Sequence, residues 1–463
     1  MKKFLHHTLW ALMLTLLVSC GEDRSGEFYA LIEDRMWIEQ TMQENYLWYE
    51  EMPTIENEYD YFKQPEVFFK NLLYKKALDG KGDNYSYLEK EATTTDETRA
   101  MTLERTSTYG MEFQLTTDPT GTTNHTFARI LYVLEGSPAE AAGIRRGDWI
   151  ATVNGERINN ENYRLLQNGG NLELTRNTLT MEEEGCNWQE TETIQVGPSV
   201  QMEINPFLVN RLYEVNGQRI AYLMYNEFAT GPDNEATETT YNEQMAQLFT
   251  QFKAQSPDAF ILDLRYNNGG YLQCAQALGS MLVPAADLGK EFINLTFNNK
   301  QNPQTIHYLL DNQYASANLN LSKIYILTSE ITASASEAII NGLIPYLGRE
   351  NVILIGTRTE GKNVAMTPYK NETYGLTLYP VVAYVANAEN QSQYSSGFEP
   401  QYVLDENDEM VWYPLGDPQE YLLKHALTLI TTGNMPETDT SVPNSIQVNG
   451  YSIASKGCYI KPY

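Results

Sequence analysis

Four cysteines and five histidines in 463 residues leave little room for chemistry built on thiols or metals. Cys20, Cys186, Cys274 and Cys458 are scattered, with no Cys-x-x-Cys, so neither a zinc site nor a disulfide scaffold is indicated. Beyond the first ten residues only His125, His307 and His425 remain, and none sits in a motif. No metal and no cofactor is therefore expected, and a Ser-His-Asp triad would have to draw on one of three isolated rings. Basic residues are also scarce: 32 against 60 acidic ones give a formal net charge of −28, which repels nucleic acid. Long apolar runs are missing too. The one continuous run near the N-terminus, residues 9–18, is too short to span a bilayer.

That run follows Lys2 and Lys3 and ends in Leu17-Val18-Ser19-Cys20, the layout of a cleaved secretory signal. The final four residues resemble a bacterial lipobox, which implies a lipidated Cys20 as the mature N-terminus and a protein held in the cell envelope outside the cytoplasm. Lipid would anchor the chain to a membrane without making it span one.

What is present is a folded, multidomain composition, with 42% hydrophobic and 11% aromatic residues. Five segments are expected: a signal over 1–20, a helical domain over 21–100, a β-rich domain over 101–200, an α/β core over 201–435 and a tail over 436–463. In the helical segment Leu31, Ile38, Met42, Tyr46 and Tyr49 mark an apolar face that Pro53 ends, and residues 86–107 read as a charged, Thr-rich linker. Residues 198–210, with Pro198 and Pro206, read as a second linker. From 218 onward the pattern alternates. Strands at 220–225, 259–264, 324–327 and 352–355 are continuously apolar, as in a mostly parallel sheet covered on both faces. Helices fall between them.

Three loops leave the carboxyl ends of those strands, where α/β sheets place their sites. Thr332-Ala333-Ser334-Ala335-Ser336-Glu337 puts a hydroxyl where a strand turns into a helix. Gly361-Lys362 puts an amine on the loop after the next strand. Asp263-Leu264-Arg265-Tyr266-Asn267-Asn268-Gly269-Gly270 offers backbone N–H groups with no side chain to block a substrate. A serine needs a base that is neutral at working pH, and a lysine serves if burial lowers its pKa from ~10.4 toward ~7–8. The oxyanion of an acyl-transfer intermediate needs two backbone donors. Singly, each loop has a bland reading as a turn or a helix cap; three on successive strands are harder to dismiss. The rival reading, a phosphate-binding loop over 356–363, fails on Asn363 where Ser or Thr should bind magnesium.

The combination resembles the carboxyl-terminal-processing (tail-specific) serine peptidases over most of residues 108–433, and GSPAEAAGIRRGDWIATVNGERI resembles a PDZ domain. The resemblance implies a peptidase core of the ClpP/crotonase kind, with Ser334 as nucleophile, Lys362 as general base, and the Gly270 and Ala335 amides as oxyanion donors. It implies a polypeptide substrate, captured at Tyr109, Gly110, Met111, Glu112 and Phe113 by strand addition to the PDZ domain. One departure bears on the base. Many members carry a glutamine four residues after the lysine, and here Met366 stands there, leaving Asn363 or a backbone carbonyl to hold the amine. A non-catalytic ligand-binding protein on the same fold is the alternative. Oligomeric state is not legible.

Overall fold

Apolar runs too continuous to leave a face in water must be covered on both sides. In the computed structural model, which describes residues 25–75, 82–90, 107–118, 123–182, 185–409 and 411–436, they form the centre of a six-stranded sheet. Its order is Phe207–Val215, Gln218–Tyr225, Ala259–Asp263, Ile324–Thr328, Val352–Gly356 and Tyr402–Val403. Only the first pair is antiparallel. Tyr222, Leu262, Ile326 and Leu354 are fully buried between helices Thr240–Ala254, Leu272–Leu282 and Ala335–Leu347 on one face and Tyr421–Thr432 on the other. Three adjacent parallel strands end together at Asp263, Thr328 and Gly356, so the three expected site loops leave from one edge.

Several expectations need correction. The stretch 198–210 is not a linker throughout: strand Phe207–Val215 begins inside it and returns as Gln218–Tyr225 through Asn216-Gly217, both at positive φ (53° and 79°). Asn-Gly between apolar runs is the sequence signal for that hairpin. The core also holds a second sheet, antiparallel, ordered Thr305–Leu309, Glu291–Phe297, Val381–Asn387 and Val364–Met366.

The N-terminal segment is neither wholly helical nor separate. Helix Ser25–Asn45 stops well before Pro53, because the chain turns inward: Tyr46 is buried, and the Leu47 N–H donates to the Val381 carbonyl (2.9 Å). The carbonyls at that helix end are satisfied by the Asn298, Lys300 and Gln301 side chains, in place of a glycine cap. Ile38, Met42 and Tyr46 form the buried face, whereas Leu31 is exposed. They pack with Val364, Met366, Leu376 and Val381 of the core. Strand Tyr87–Lys90, where the expected linker begins, pairs with Leu376–Tyr379. The signal, Cys20, residues 91–106 and the tail from 437 lie outside the described residues. Among the described residues no helix is long and apolar enough to cross a membrane.

The β-rich module matches its sequence closely. Strands Met111–Thr117, Thr126–Val133 and Trp149–Val153 surround helix Pro138–Ala141, whose N-cap Ser137 accepts from the Glu140 N–H. This module docks on the core through buried charge. Arg146 donates to Glu406 (2.8 Å) and to the Tyr266 hydroxyl, and Arg265 donates to Asp263 (2.8 Å), Glu406 (3.1 Å) and Glu420 (2.5 Å). Burial alone would raise the Glu406 carboxyl, but Arg146 and Arg265 hold it at about 2. Arg265→Leu leaves Asp263, Glu406 and Glu420 with one cation fewer. It is expected to destabilise the fold by about 3–5 kcal/mol, read from urea unfolding. An unchanged midpoint contradicts this account of the interface.

Candidate active site

Ser334 stands between Ala333 and helix Ala335–Leu347 with φ 63° and ψ −113°, a backbone conformation that L side chains rarely adopt. Such strain costs on the order of 1–3 kcal/mol and persists only where the surroundings over-determine it. Here the surroundings are hydrogen bonds to the glycine loop. The Ala333 N–H donates to the Asn267 carbonyl (3.2 Å), Ser336 Oγ donates to the same carbonyl (2.9 Å), and Thr332 Oγ1 donates to the Leu264 carbonyl (2.9 Å). The loop is braced in turn by Asn267, whose side chain donates to the Tyr225 carbonyl (2.7 Å) and accepts from the Gly269 N–H (2.9 Å).

Both glycines are required where they stand. Gly269 (φ 115°) lies so close that an added Cβ would be 2.8 Å from Ser334 Cβ and 3.2 Å from the Ala335 nitrogen. At Gly270 (φ 135°) a Cβ would sit 2.4 Å from the Phe228 carbonyl oxygen. Phe228 clamps the pair: its N–H donates to the Gly269 carbonyl (2.9 Å) and its own carbonyl accepts from Tyr271 (2.8 Å). Among the described residues, neither the Gly270 N–H nor the Ala335 N–H has an acceptor. Two backbone donors beside a hydroxyl are the arrangement an oxyanion requires.

Lys362 lies on the loop between strands Val352–Gly356 and Val364–Met366, and no helix follows, so the phosphate-loop reading falls. The residue is buried, and its Nζ lies 5.0 Å from the centre of the Tyr85 ring. Met366 is packed among apolar side chains of the N-terminal segment. Asn363, one of the two groups expected to hold the amine, donates its side-chain N–H to the Ser392 carbonyl (2.7 Å). Tyr85, Phe228 and Thr359 carry no local signal of a site, since each is placed by contacts remote along the chain.

The loops are joined by Glu337, which is fully buried in the first turn of its helix. One carboxylate oxygen accepts from the Ser334 N–H (2.9 Å) and the Lys362 N–H (2.7 Å). The other accepts from Thr359 Oγ1 (2.6 Å) and the Gly361 N–H (2.7 Å). The serine turn and the lysine loop are therefore adjacent. The Ser334 hydroxyl itself is sealed from solvent and has no hydrogen-bond partner among the described residues, so it bonds neither to Lys362 nor to a histidine. A cavity of about 390 Å³ opens nearby between Gln114 of the β-rich module and Ser329, Ile331, Thr359 and Glu360 of the core.

The residues expected to capture a peptide through their backbone lie at the start of the edge strand Met111–Thr117. Tyr109, Met111 and Phe113 point into the core of their own module, and the Tyr109 hydroxyl donates to the Gly170 carbonyl (2.5 Å). Gly110 is buried, with its N–H donating to Thr108 Oγ1 (2.9 Å), and the Glu112 side chain is half-buried. Strand Met111–Thr117 does lie at its sheet's edge, yet Gln114 on it donates to Asn407 of the core (2.8 Å).

Comparison with known proteins agrees with this layout. Sequence profiles match peptidase family S41 over residues 219–404, the S41 N-terminal domain over 35–87 and a PDZ domain over 129–175. The crystal structure of a Bacteroides fragilis protein assigned to the S41 proteases is 32% identical, with a TM-score of 0.73; the match covers 86% of this chain and 97% of that one. A carboxyl-terminal-processing protease of Picosynechococcus is 26% identical over 244 residues, spanning 52% of each chain. One of the same description from Synechocystis is 23% identical, over 78% of this chain and 79% of its own. The chain thus spans between about half and four fifths of the length of these two curated relatives.

Proposed function

The chain belongs to peptidase family S41, and we propose that it is a carboxyl-terminal-processing endopeptidase in which Ser334 attacks the scissile carbonyl and Lys362 takes and returns the proton. The Gly270 and Ala335 N–H groups would hold the oxyanion, and unstructured polypeptide would enter through the cavity between the PDZ module and the core. The observation that carries this reading is the single carboxylate of Glu337 bonding the backbone of both loops, beside two backbone donors with no acceptor. Neutral lysine in a buried site is a competent base, and serine so activated forms an acyl-enzyme that water then resolves. Catalytic hydrogen bonds are commonly long before substrate binds, so a sealed hydroxyl describes a resting state that substrate must open. Stoichiometric labelling of Ser334 by a serine-directed phosphonate, with cleavage of an unstructured polypeptide, tests the reading; a fully folded protein that is neither labelled nor active overturns it.

The same sealed hydroxyl, with Met366 in place of a polar residue, supports a second reading as a weakly active or inactive binding protein. The labelling experiment separates the two.

We also propose that Cys20 is lipidated and anchors the mature chain to the cell envelope, from the basic start, short apolar run and terminal Cys of residues 1–20. Incorporation of a fatty-acid label that disappears in Cys20→Ala, with release of the protein from the membrane fraction, is the expected result. Unchanged labelling in that variant removes the proposal.

A further inference from the structure

Glu337 is not itself one of the reacting groups, yet four donors converge on it from two segments of the chain. The Ser334 N–H comes from the strained turn, Thr359 Oγ1 from the loop after strand Val352–Gly356, and the Gly361 and Lys362 N–H groups from the residues that carry the amine. An ionised carboxylate has about four lone-pair positions and donates nothing. All are taken here, two on each oxygen, so an added proton must displace a donor. Thr359 is not free to turn away, because its hydroxyl also accepts from the Phe398 N–H (2.7 Å).

We infer that Glu337 is a positioning residue which, as a carboxylate, holds the Ser334 turn and the Lys362 loop in register, and that protonating it uncouples the two. The inference rests on the reading of Ser334 and Lys362 as the reacting pair. It deepens that reading by naming what sets their spacing where the usual polar residue is replaced by Met366.

The electrostatics make the device sensitive to pH. Burial pushes the Glu337 carboxyl up to about 7, against the lowering effect of its four donors. The other titratable groups around it are Lys362 on the bonded loop and Tyr85 beyond it, whose hydroxyl also feels Glu360 and Asp83. Its place in the first turn of helix Ala335–Leu347 favours the charged form. A carboxyl raised on folding contributes stability that is fully present below its unfolded value and is lost as pH rises through about 7. The form that aligns the site is therefore the less stable one, and stability and activity respond to pH in opposite directions.

The test uses the whole chain and the rate of phosphonate labelling at Ser334 across pH 5 to 9. Wild type should lose rate on acidification more steeply than one ionisation allows, since both the base and Glu337 take up protons. Glu337→Gln places an amide N–H₂ against donors, and its rate should be about 10²-fold lower at pH 8, as expected for a misplacement near 1 Å. Its remaining pH dependence should follow a single ionisation, while its thermal midpoint relative to wild type improves as pH rises. Glu337→Asp, which keeps the charge, should recover part of the rate and the steeper profile. A folded Glu337→Gln protein labelled at the wild-type rate with the wild-type profile overturns the inference. So does a loss of rate that merely parallels a loss of stability at every pH. Wild-type protein that is not labelled at all instead overturns the reading of Ser334 beneath it.

Discussion

Ser334→Ala is expected to lower polypeptide cleavage by about 10⁴–10⁶-fold, the range seen when a nucleophile acting as part of a unit is removed. The same substitution should leave the thermal midpoint unchanged or raise it. The Ser334 hydroxyl is buried without a partner among the described residues, so removing it deletes a desolvated polar group and breaks no hydrogen bond. The backbone strain at φ 63° is no different for alanine, which also carries a Cβ. The bonds that shape the turn come from Thr332, the Ala333 N–H, the Ser334 N–H and Ser336, and all survive. Activity and stability should thus separate. Cleavage measured beside thermal unfolding checks this, and an alanine variant that still cleaves at a tenth of the wild-type rate ends the assignment of the nucleophile.

Lys362→Met is expected to cost about 10²–10⁴-fold in kcat/KM at neutral pH, the usual contribution of a general base. Methionine keeps most of the apolar stem of lysine and removes the amine. The Lys362 N–H to Glu337 bond belongs to the backbone and is retained, so the loop should stay in place. At a position only 6% exposed, methionine fills the space of the lysine stem, so the protein should remain folded. Phosphonate labelling at Ser334 should slow in step with cleavage. A variant that keeps the full rate at neutral pH excludes Lys362 as the base and turns attention to a bound water or another side chain.

The two substitutions test residues that local sequence nominates, whereas for Glu337 the family resemblance implies no more than support of the helix and the site. Its acidic side chain three residues after a serine is common helix-capping chemistry. Nothing local says that the Gly361 and Lys362 amides will reach the same carboxylate. Tyr85 falls in the segment expected to be a helical domain, and it stands beside the Lys362 amine because strand Tyr87–Lys90 pairs with Leu376–Tyr379. Tyr109, Met111 and Phe113 alternate as a strand should, but alternation does not say which face is the inside of the module.

The buried parallel strands, the turn of Ser334 into its helix, the Gly269-Gly270 loop and the N-cap at Ser137 are written locally in the chain. Each is encoded within a few residues by apolar run length, capping chemistry or a position that tolerates no Cβ. That the serine turn and the lysine loop share one carboxylate, and that the N-terminal segment packs into the core, follows from the folded arrangement. The sealing of the hydroxyl from water follows from it too. These depend on strand order and on burial, which arise when segments far apart in the chain exclude solvent together, and no local pattern carries them.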